Sequence, residues 1–245
     1  LDAFRIFDTV FIMTGGAIGS LFAQLFALTS AERKTLLVAG AAAGMSATFA
    51  SPLAATLLAV ELLLFEWKPR SFIPVVVASV TASFVRPVVL GDGPLFPVPF
   101  HAPHPTWQLA LGCIACGLAA GAMSGLLTKG VYLFEDLFQK LPIHWMWWPA
   151  IGGVAIGLGG LVEPRALGVG YEVIEAALNG QLIGRALIAL MIVKAAIWVI
   201  SLGSGTSGGV LAPLLIMGAC LGGLEALVLP GVGVGFWPLV SMAAI

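Results

Sequence analysis

The chain has 245 residues, of which 60% are hydrophobic and only 9% charged, with mean hydropathy +1.06 and a net charge of −1. Soluble domains carry about 25% charged residues, so a water-facing globule is excluded and the surrounding solvent is lipid. A nucleic-acid surface is excluded as well, because no basic stripe exists.

A first apolar segment covers residues 11–28. The polar stretch 29–34 follows, with Thr29 or Ser30 as a helix cap and Glu32 or Arg33 in the first turn. Residues 36–65 are apolar for longer than one span of about 20 residues requires. Pro52, behind the small residues Ser46, Ala47, Ala50 and Ser51, predicts two helices broken near 49–52. Trp67, Lys68 and Arg70 mark an interface, with the basic residues on the cytoplasmic side. Residues 72–89 form a further apolar stretch, and 91–105 are a proline- and glycine-rich loop. His101 and His104 in that loop lack the other ligands a metal site needs.

Residues 107–134 predict a helix carrying Gly117, Gly121 and Gly125 on one face, where another backbone can approach closely. Similar pairs occur at Gly15/Gly19, Gly40/Gly44, Gly153/Gly157 and Gly218/Gly222. Together they describe a tightly packed bundle. Residues 144–148, HWMWW, form an aromatic belt. Residues 150–161 are short for a span, and 163–179 are more polar and predict a short interfacial helix. Residues 182–202 form a span containing Lys194. A glycine-rich stretch, 203–209, precedes a helix expected over 210–229, and a last helix starts at Phe236. Cys113, Cys116 and Cys220 read as small packing residues, since no further metal ligands stand at matching spacing. Short and broken apolar segments are the signature of discontinuous membrane helices, which transporters place at their binding sites.

The run GSGTSGGVLAP, from Gly203 to Pro213, carries the most chemistry. The first N–H groups of a helix lack intrahelical partners and sit at the positive end of its dipole. Gly208 and Gly209 remove side chains, so a small anion can approach the N–H groups of Val210 and Leu211. Pro213 fits the first turn, where it forfeits no helical bond. The same run also reads as a close-packed turn between two spans. The segment Gly205-Thr-Ser-Gly208 fits the GxSG pattern of rhomboid-type intramembrane proteases. Such a serine needs a base, and no histidine follows His144.

Two long runs carry a family resemblance. GSGTSGGVLAPLLIMGACLGG resembles the segment of the CLC chloride channels and chloride/proton exchangers that holds the GxFxP motif. LLVAGAAAGMSATFASPLAATLLAVELLLFEW resembles the earlier AAGxxAAFxAPLxGxxFxxE segment, and LGVG at Leu167 to Gly170 fits between them. The resemblance implies an all-α integral membrane fold: a multi-span bundle with broken and re-entrant helices, built as a CLC-type inverted repeat. It implies a homodimer with one anion pathway per subunit. Residues 1–90 then match the end of the first repeat half, 91–106 a loop, and 107–245 most of the second half.

Carried over by residue, the resemblance places the N–H groups of Val210 and Leu211 at the central anion site, opened by Gly208 and Gly209. The family usually has Phe at the Leu211 position. The family's GSGxP motif and its late tyrosine fall before Leu1 and after Ile245, so the chain reads as partial at both ends. Asp8 stands where the gating glutamate of GxEGP would lie, without the flanking Gly and Pro; a solvated terminal Asp fits equally well. Glu61 matches the first of two adjacent glutamates of the exchangers, while Leu62 occupies the proton-transfer position and Glu66 lies further along. A carboxylate in an apolar span is a candidate for coupling, and bracing of neighbouring backbone is the favoured alternative for Glu61.

The expectation is therefore a multi-pass protein of a cell membrane that transports chloride, first as a passive channel. The alternatives are a chloride/proton or other halide exchanger and, in another class, a non-conducting membrane scaffold. Neither enzymatic chemistry nor a cofactor or resident metal is expected. The partners are chloride or a similar anion, the lipid bilayer and a second copy of the chain, with no nucleic acid.

Overall fold

A computed structural model of the chain describes residues 8–91, 96, 98, 106–206, 208–229 and 231–245, without the side chains of 8–11 and 90. His101, His104 and Ser207 lie outside the described residues. The chain divides into two compact units, Leu1–Pro97 and Val98–Ile245. The fold is all-helical among the described residues.

The first unit contains α1 (Asp8–Gln24), α2 (Ser30–Phe49), α3 (Pro52–Leu58) and α4 (Pro69–Leu90), with α3 running into a π-helical turn at Ala59–Leu64. Thr29 caps α2 reciprocally with Glu32. The Glu32 N–H donates to Thr29 Oγ1 at 3.4 Å, and the Thr29 N–H donates to Glu32 Oε2 at 2.8 Å. These bonds to Thr29, backbone first, hold the Glu32 carboxyl below its ordinary value. The expected break falls at Ala50 and Ser51. Ala50 turns left-handed at φ 53°, and Pro52 enters α3 in its first turn, where no N–H is needed. Arg86 of α4 reaches across to this break and donates to the Ala47 carbonyl at 2.9 Å. The Ser46 hydroxyl donates to the Ser79 carbonyl at 2.6 Å, tying α2 to α4.

Glycine sets the spacing of α1 and α2. A Cβ on Gly15 would run into the Gly40 carbonyl, and one on Gly19 into the Leu36 carbonyl. The backbones therefore touch, and small side chains such as Ala39 and Ala42 fill the core behind them.

The second unit runs through α5 (Trp107–Gln139), α6 (Trp148–Val162), α7 (Tyr171–Leu178), α8 (Arg185–Gly203), α9 (Leu211–Glu225) and α10 (Phe236–Ala244). Single 3-10 turns, Trp145–Trp147 and Pro164–Ala166, lead into and out of α6. Close backbone packing recurs between α9 and α10, where Gly218 and Gly222 meet the backbone of Ser241, Met242, Trp237 and Pro238. The stripe Gly117, Gly121 and Gly125 behaves differently from expectation. An added Cβ at any of the three meets nothing within 4 Å. The buried face of α5 is the neighbouring one, with Gly112, Cys116 and Ala120, about 100° around the helix. Gly153 and Gly157 are equally uncovered among the described residues.

Among the described residues, four helical stretches are long and apolar enough to cross a membrane: Pro69–Val89, Trp107–Gln139, Trp145–Val162 and Arg185–Gly203. α9, at 15 residues, is shorter than the span length of about 20. The aromatic belt and the short apolar run after it combine into one stretch, so the second is not a half-span.

The packing predicts a clear contrast between glycines. Gly40→Val should destabilise the folded protein by about 1–3 kcal/mol or more through overpacking. Gly117→Ala should leave it within about 0.5 kcal/mol. Thermal unfolding in detergent measures both.

Candidate functional site

The site forms where the helical backbone stops between α8 and α9. α8 approaches α5 closely at Gly203, where a Cβ would press on Phe134 and Glu135. The chain then tightens. The Ser204 N–H donates to the Ile200 carbonyl at 3.0 Å, and Gly205 takes φ 77°. The Ser204 hydroxyl donates to the Ser201 carbonyl at 2.6 Å and lies 2.9 Å from the Thr206 hydroxyl. Gly152 of α6 sits against both hydroxyls, where any larger residue would collide with Ser204. Helical structure thus ends at Gly203 because the turn satisfies its own polar groups and needs room.

Gly208 and Gly209 follow as exposed, non-helical residues. A Cβ on either would meet nothing within 4 Å, so the space over them is open. Val210 is the N-cap of α9, and its carbonyl accepts the first helical bond, from the Leu214 N–H at 3.3 Å. The helix therefore begins at Leu211, one residue after the expected position. Among the described residues the N–H groups of Val210, Leu211 and Ala212 have no hydrogen-bond partner. Pro213 occupies the fourth position of this open end and has no N–H to leave unpaired.

A cavity of about 190 Å³ lies beside this helix start. Gly208, Gly209 and Pro213 line one side, Lys194, Trp198 and Ser201 of α8 another, and the Ala166 to Gly168 segment a third. A water occupies about 30 Å³ of liquid, so a small anion with part of its hydration shell fits. The Trp198 indole N–H donates to the Gly209 carbonyl at 3.4 Å, a long bond that engages this oxygen. Val210 and Leu211 do not line the cavity. Their side chains are 48% and 42% exposed.

Lys194 is the residue that sequence reasoning left without a role. It is 5% exposed, and its ammonium donates to the carbonyls of Ala166 at 2.8 Å and Gly168 at 2.9 Å. The signal was present: a lone cation inside an apolar span is a functional candidate by default. The LGVG run owes its shape to glycines in left-handed conformation, Gly168 at φ 72° and Gly170 at φ 73°.

The other candidates belong to the first unit. Asp8 is the first residue of α1, and its side chain lies outside the described residues. Glu61 is exposed on the π-helical turn, and its carboxylate meets no hydrogen-bond partner among the described residues. Leu62 beside it is 59% exposed. Glu66 follows the left-handed residue Phe65 and is bound locally, accepting from Lys68 Nζ at 2.8 Å and from the Ser71 hydroxyl at 2.5 Å. Those two bonds, Lys68 first, hold its carboxyl below its ordinary value.

The model of the family described as voltage gated chloride channel matches residues 9–245. The H(+)/Cl(-) exchange transporter ClcA of Citrobacter koseri is 33% identical over 219 residues, which cover 86% of this chain and 46% of that protein. The protein of the same name from Salmonella paratyphi B is 32% identical over 229 residues, covering 89% of this chain and 48% of its own. The chain spans about half the length of these relatives. A slow cyanobacterial Cl−/H+ antiporter of known crystal structure matches 95% of this chain and 56% of its own, with TM-score 0.75 and 23% identity. That match shows the fold.

If the unpaired amides of α9 hold an anion, side chains there should matter less than donors. Leu211→Ala should leave anion affinity within about tenfold, or roughly 1.4 kcal/mol. Val210→Pro deletes a donor N–H and should cost about 1.5–3 kcal/mol. Calorimetric titration with chloride, with circular dichroism as the control of folding, measures both.

Proposed function

The chain belongs to the voltage gated chloride channel family, and from that premise we propose that it transports chloride across a membrane, holding the ion at the start of α9. One observation carries this reading: among the described residues the N–H groups of Val210, Leu211 and Ala212 have no partner, where Gly208 and Gly209 leave the backbone open. In an apolar surround each such group lacks water and gains from an anion. The helix dipole adds partial positive charge without a side-chain cation in direct pairing. That balance suits transport, because an ion held by several weak donors also leaves. Chloride is cargo here, so the reading calls for no enzymatic step and no resident cofactor. A homodimer embedded in lipid is part of the proposal, on the family resemblance.

Uncoupled conduction is the first mode. It is supported by Leu62 at the position where the exchangers have their proton-transferring glutamate, and by the engagement of Glu66 with Lys68 and Ser71. Proton-coupled exchange is the second, and the names of the relatives, H(+)/Cl(-) exchange transporters, favour it. Asp8 and Glu61 are its candidate gate and coupling residues.

Flux from chloride-loaded liposomes separates the readings. Chloride efflux without proton movement is the expected result. Proton uptake in fixed ratio to chloride efflux would establish exchange instead, and absence of flux from folded protein would leave the non-conducting scaffold.

A further inference from the structure

We propose that the first unit seats one phospholipid of the ethanolamine class, with its headgroup in a polar pocket at the starts of α2 and α4 and an acyl chain in the apolar groove that leads from it. The site is separate from the transported ion and uses none of the residues of the α9 start.

The groove lies between α1, α2 and α4 and measures about 640 Å³. Glycine, alanine, proline and larger apolar side chains line it throughout, with Ile18 and Phe22 of α1 and Ile73 and Val77 of α4 exposed along it. It follows α2 from Leu36 to Gly44, a length of about 12 Å at 1.5 Å per residue. At its Leu36 and Pro74 end it adjoins a second pocket of about 420 Å³, since both residues line both spaces. That pocket is polar, with Glu32 and Thr35 of α2 and with Glu66, Arg70 and Ser71 around the start of α4. Trp67 and Lys68, both exposed in the same stretch, mark the boundary between water and lipid. An apolar groove that ends in a charged pocket at this boundary has the outline of a lipid, chain and head.

The charges of the pocket select the headgroup. Lys68 and Glu66 pair at 2.8 Å and cancel each other. Glu32 and Arg70 remain, one negative and one positive. Thr29 donates twice to Glu32 Oε2, from its N–H and its hydroxyl, and Glu32 Oε1 has no hydrogen-bond partner among the described residues. The Arg70 guanidinium has no hydrogen-bond or ion-pair partner there either, yet it stands near enough to Glu32 and Glu66 to act on both by charge. Arg33 and Lys34 belong to the first turn of α2 but line neither space. A phosphate matches the planar fork of an arginine, and a primary ammonium donates to a carboxylate oxygen. Phosphoethanolamine carries both groups on one short arm. Phosphatidylglycerol lacks a cation for Glu32, and the ammonium of phosphatidylcholine has no N–H to give.

The experiment is native mass spectrometry of the full-length protein in detergent, titrated with phosphatidylethanolamine, phosphatidylglycerol and phosphatidylcholine of one acyl composition. It compares the wild type with Arg70→Gln, Glu32→Gln and Val77→Trp, with thermal unfolding as the control of folding. The wild type should retain one phosphatidylethanolamine with about tenfold preference over the other two lipids. Arg70→Gln should weaken that retention by about tenfold or more. Glu32→Gln, which keeps an oxygen for the Thr29 cap, should remove the preference over phosphatidylglycerol. Val77→Trp, which puts an indole into the groove, should weaken all three lipids. A folded wild type that retains no lipid, or variants that all bind as the wild type does, overturns the proposal. A wild-type preference for phosphatidylglycerol, or a preference that Glu32→Gln leaves intact, overturns the ethanolamine headgroup and the proposal with it. Should Val77→Trp not fold, the exposed positions 70 and 32 decide: unchanged retention of phosphatidylethanolamine in both variants overturns the proposal, and the two expected losses support it.

Discussion

A peptide N–H or C=O in hydrocarbon has no water to bond, so each interruption of a membrane helix must supply substitute partners. The described breaks meet this demand in different ways. At Ala50 the left-handed residue and Pro52 at the next helix start remove the need for one donor, while Arg86 takes the Ala47 carbonyl left at the end of α2. Between α6 and α7, Lys194 takes the carbonyls of Ala166 and Gly168. In both places a long cationic side chain from a continuous helix serves the carbonyl end of a broken stretch. Between α8 and α9 the Ser204 turn serves the carbonyl end, and the donor end of α9 is left open. Donors without partners in an apolar surround are costly unless something negative visits them. The proposed function follows from that one open end.

Glycine contacts set the position of the open end. Gly218 and Gly222 lock α9 against the backbone of α10, and Gly203 locks the end of α8 against α5. A short helix such as α9 would tilt and slide if held only by flexible side chains. Backbone contact on one face fixes where its first amides stand. The turn before it is fixed by Gly152, which leaves space for the Ser204 and Thr206 hydroxyls to bond each other. Preorganised donors of this kind need no rearrangement to receive an ion.

Much of this was legible in the sequence, because breaks are written in Pro and Gly. Pro52 located the end of α2, and the run from Gly203 to Pro213 located the start of α9 to within one residue. Four-residue spacing marked Gly15/Gly19 and Gly40/Gly44 as close-approach faces, and the backbones of α1 and α2 meet at Gly15, Gly19 and Gly40. Spacing alone misread Gly117, Gly121 and Gly125, since four-residue periodicity defines a face but not what lies against it. The partnership of Lys194 with a segment 26 to 28 residues away was not legible, because it depends on tertiary contact. The local capture of Glu66 was also hidden. It depends on the left-handed turn at Phe65, a conformation a phenylalanine seldom adopts.

The central claim is that the open end of α9 is where the anion sits. Anomalous diffraction from crystals of the full-length protein grown in bromide tests it most directly, since bromide replaces chloride and is seen by its own scattering. The account predicts a bromide peak within hydrogen-bonding reach of the Val210 and Leu211 nitrogens. A well-ordered α9 start with no peak there, and bromide bound elsewhere along the pathway, would contradict it.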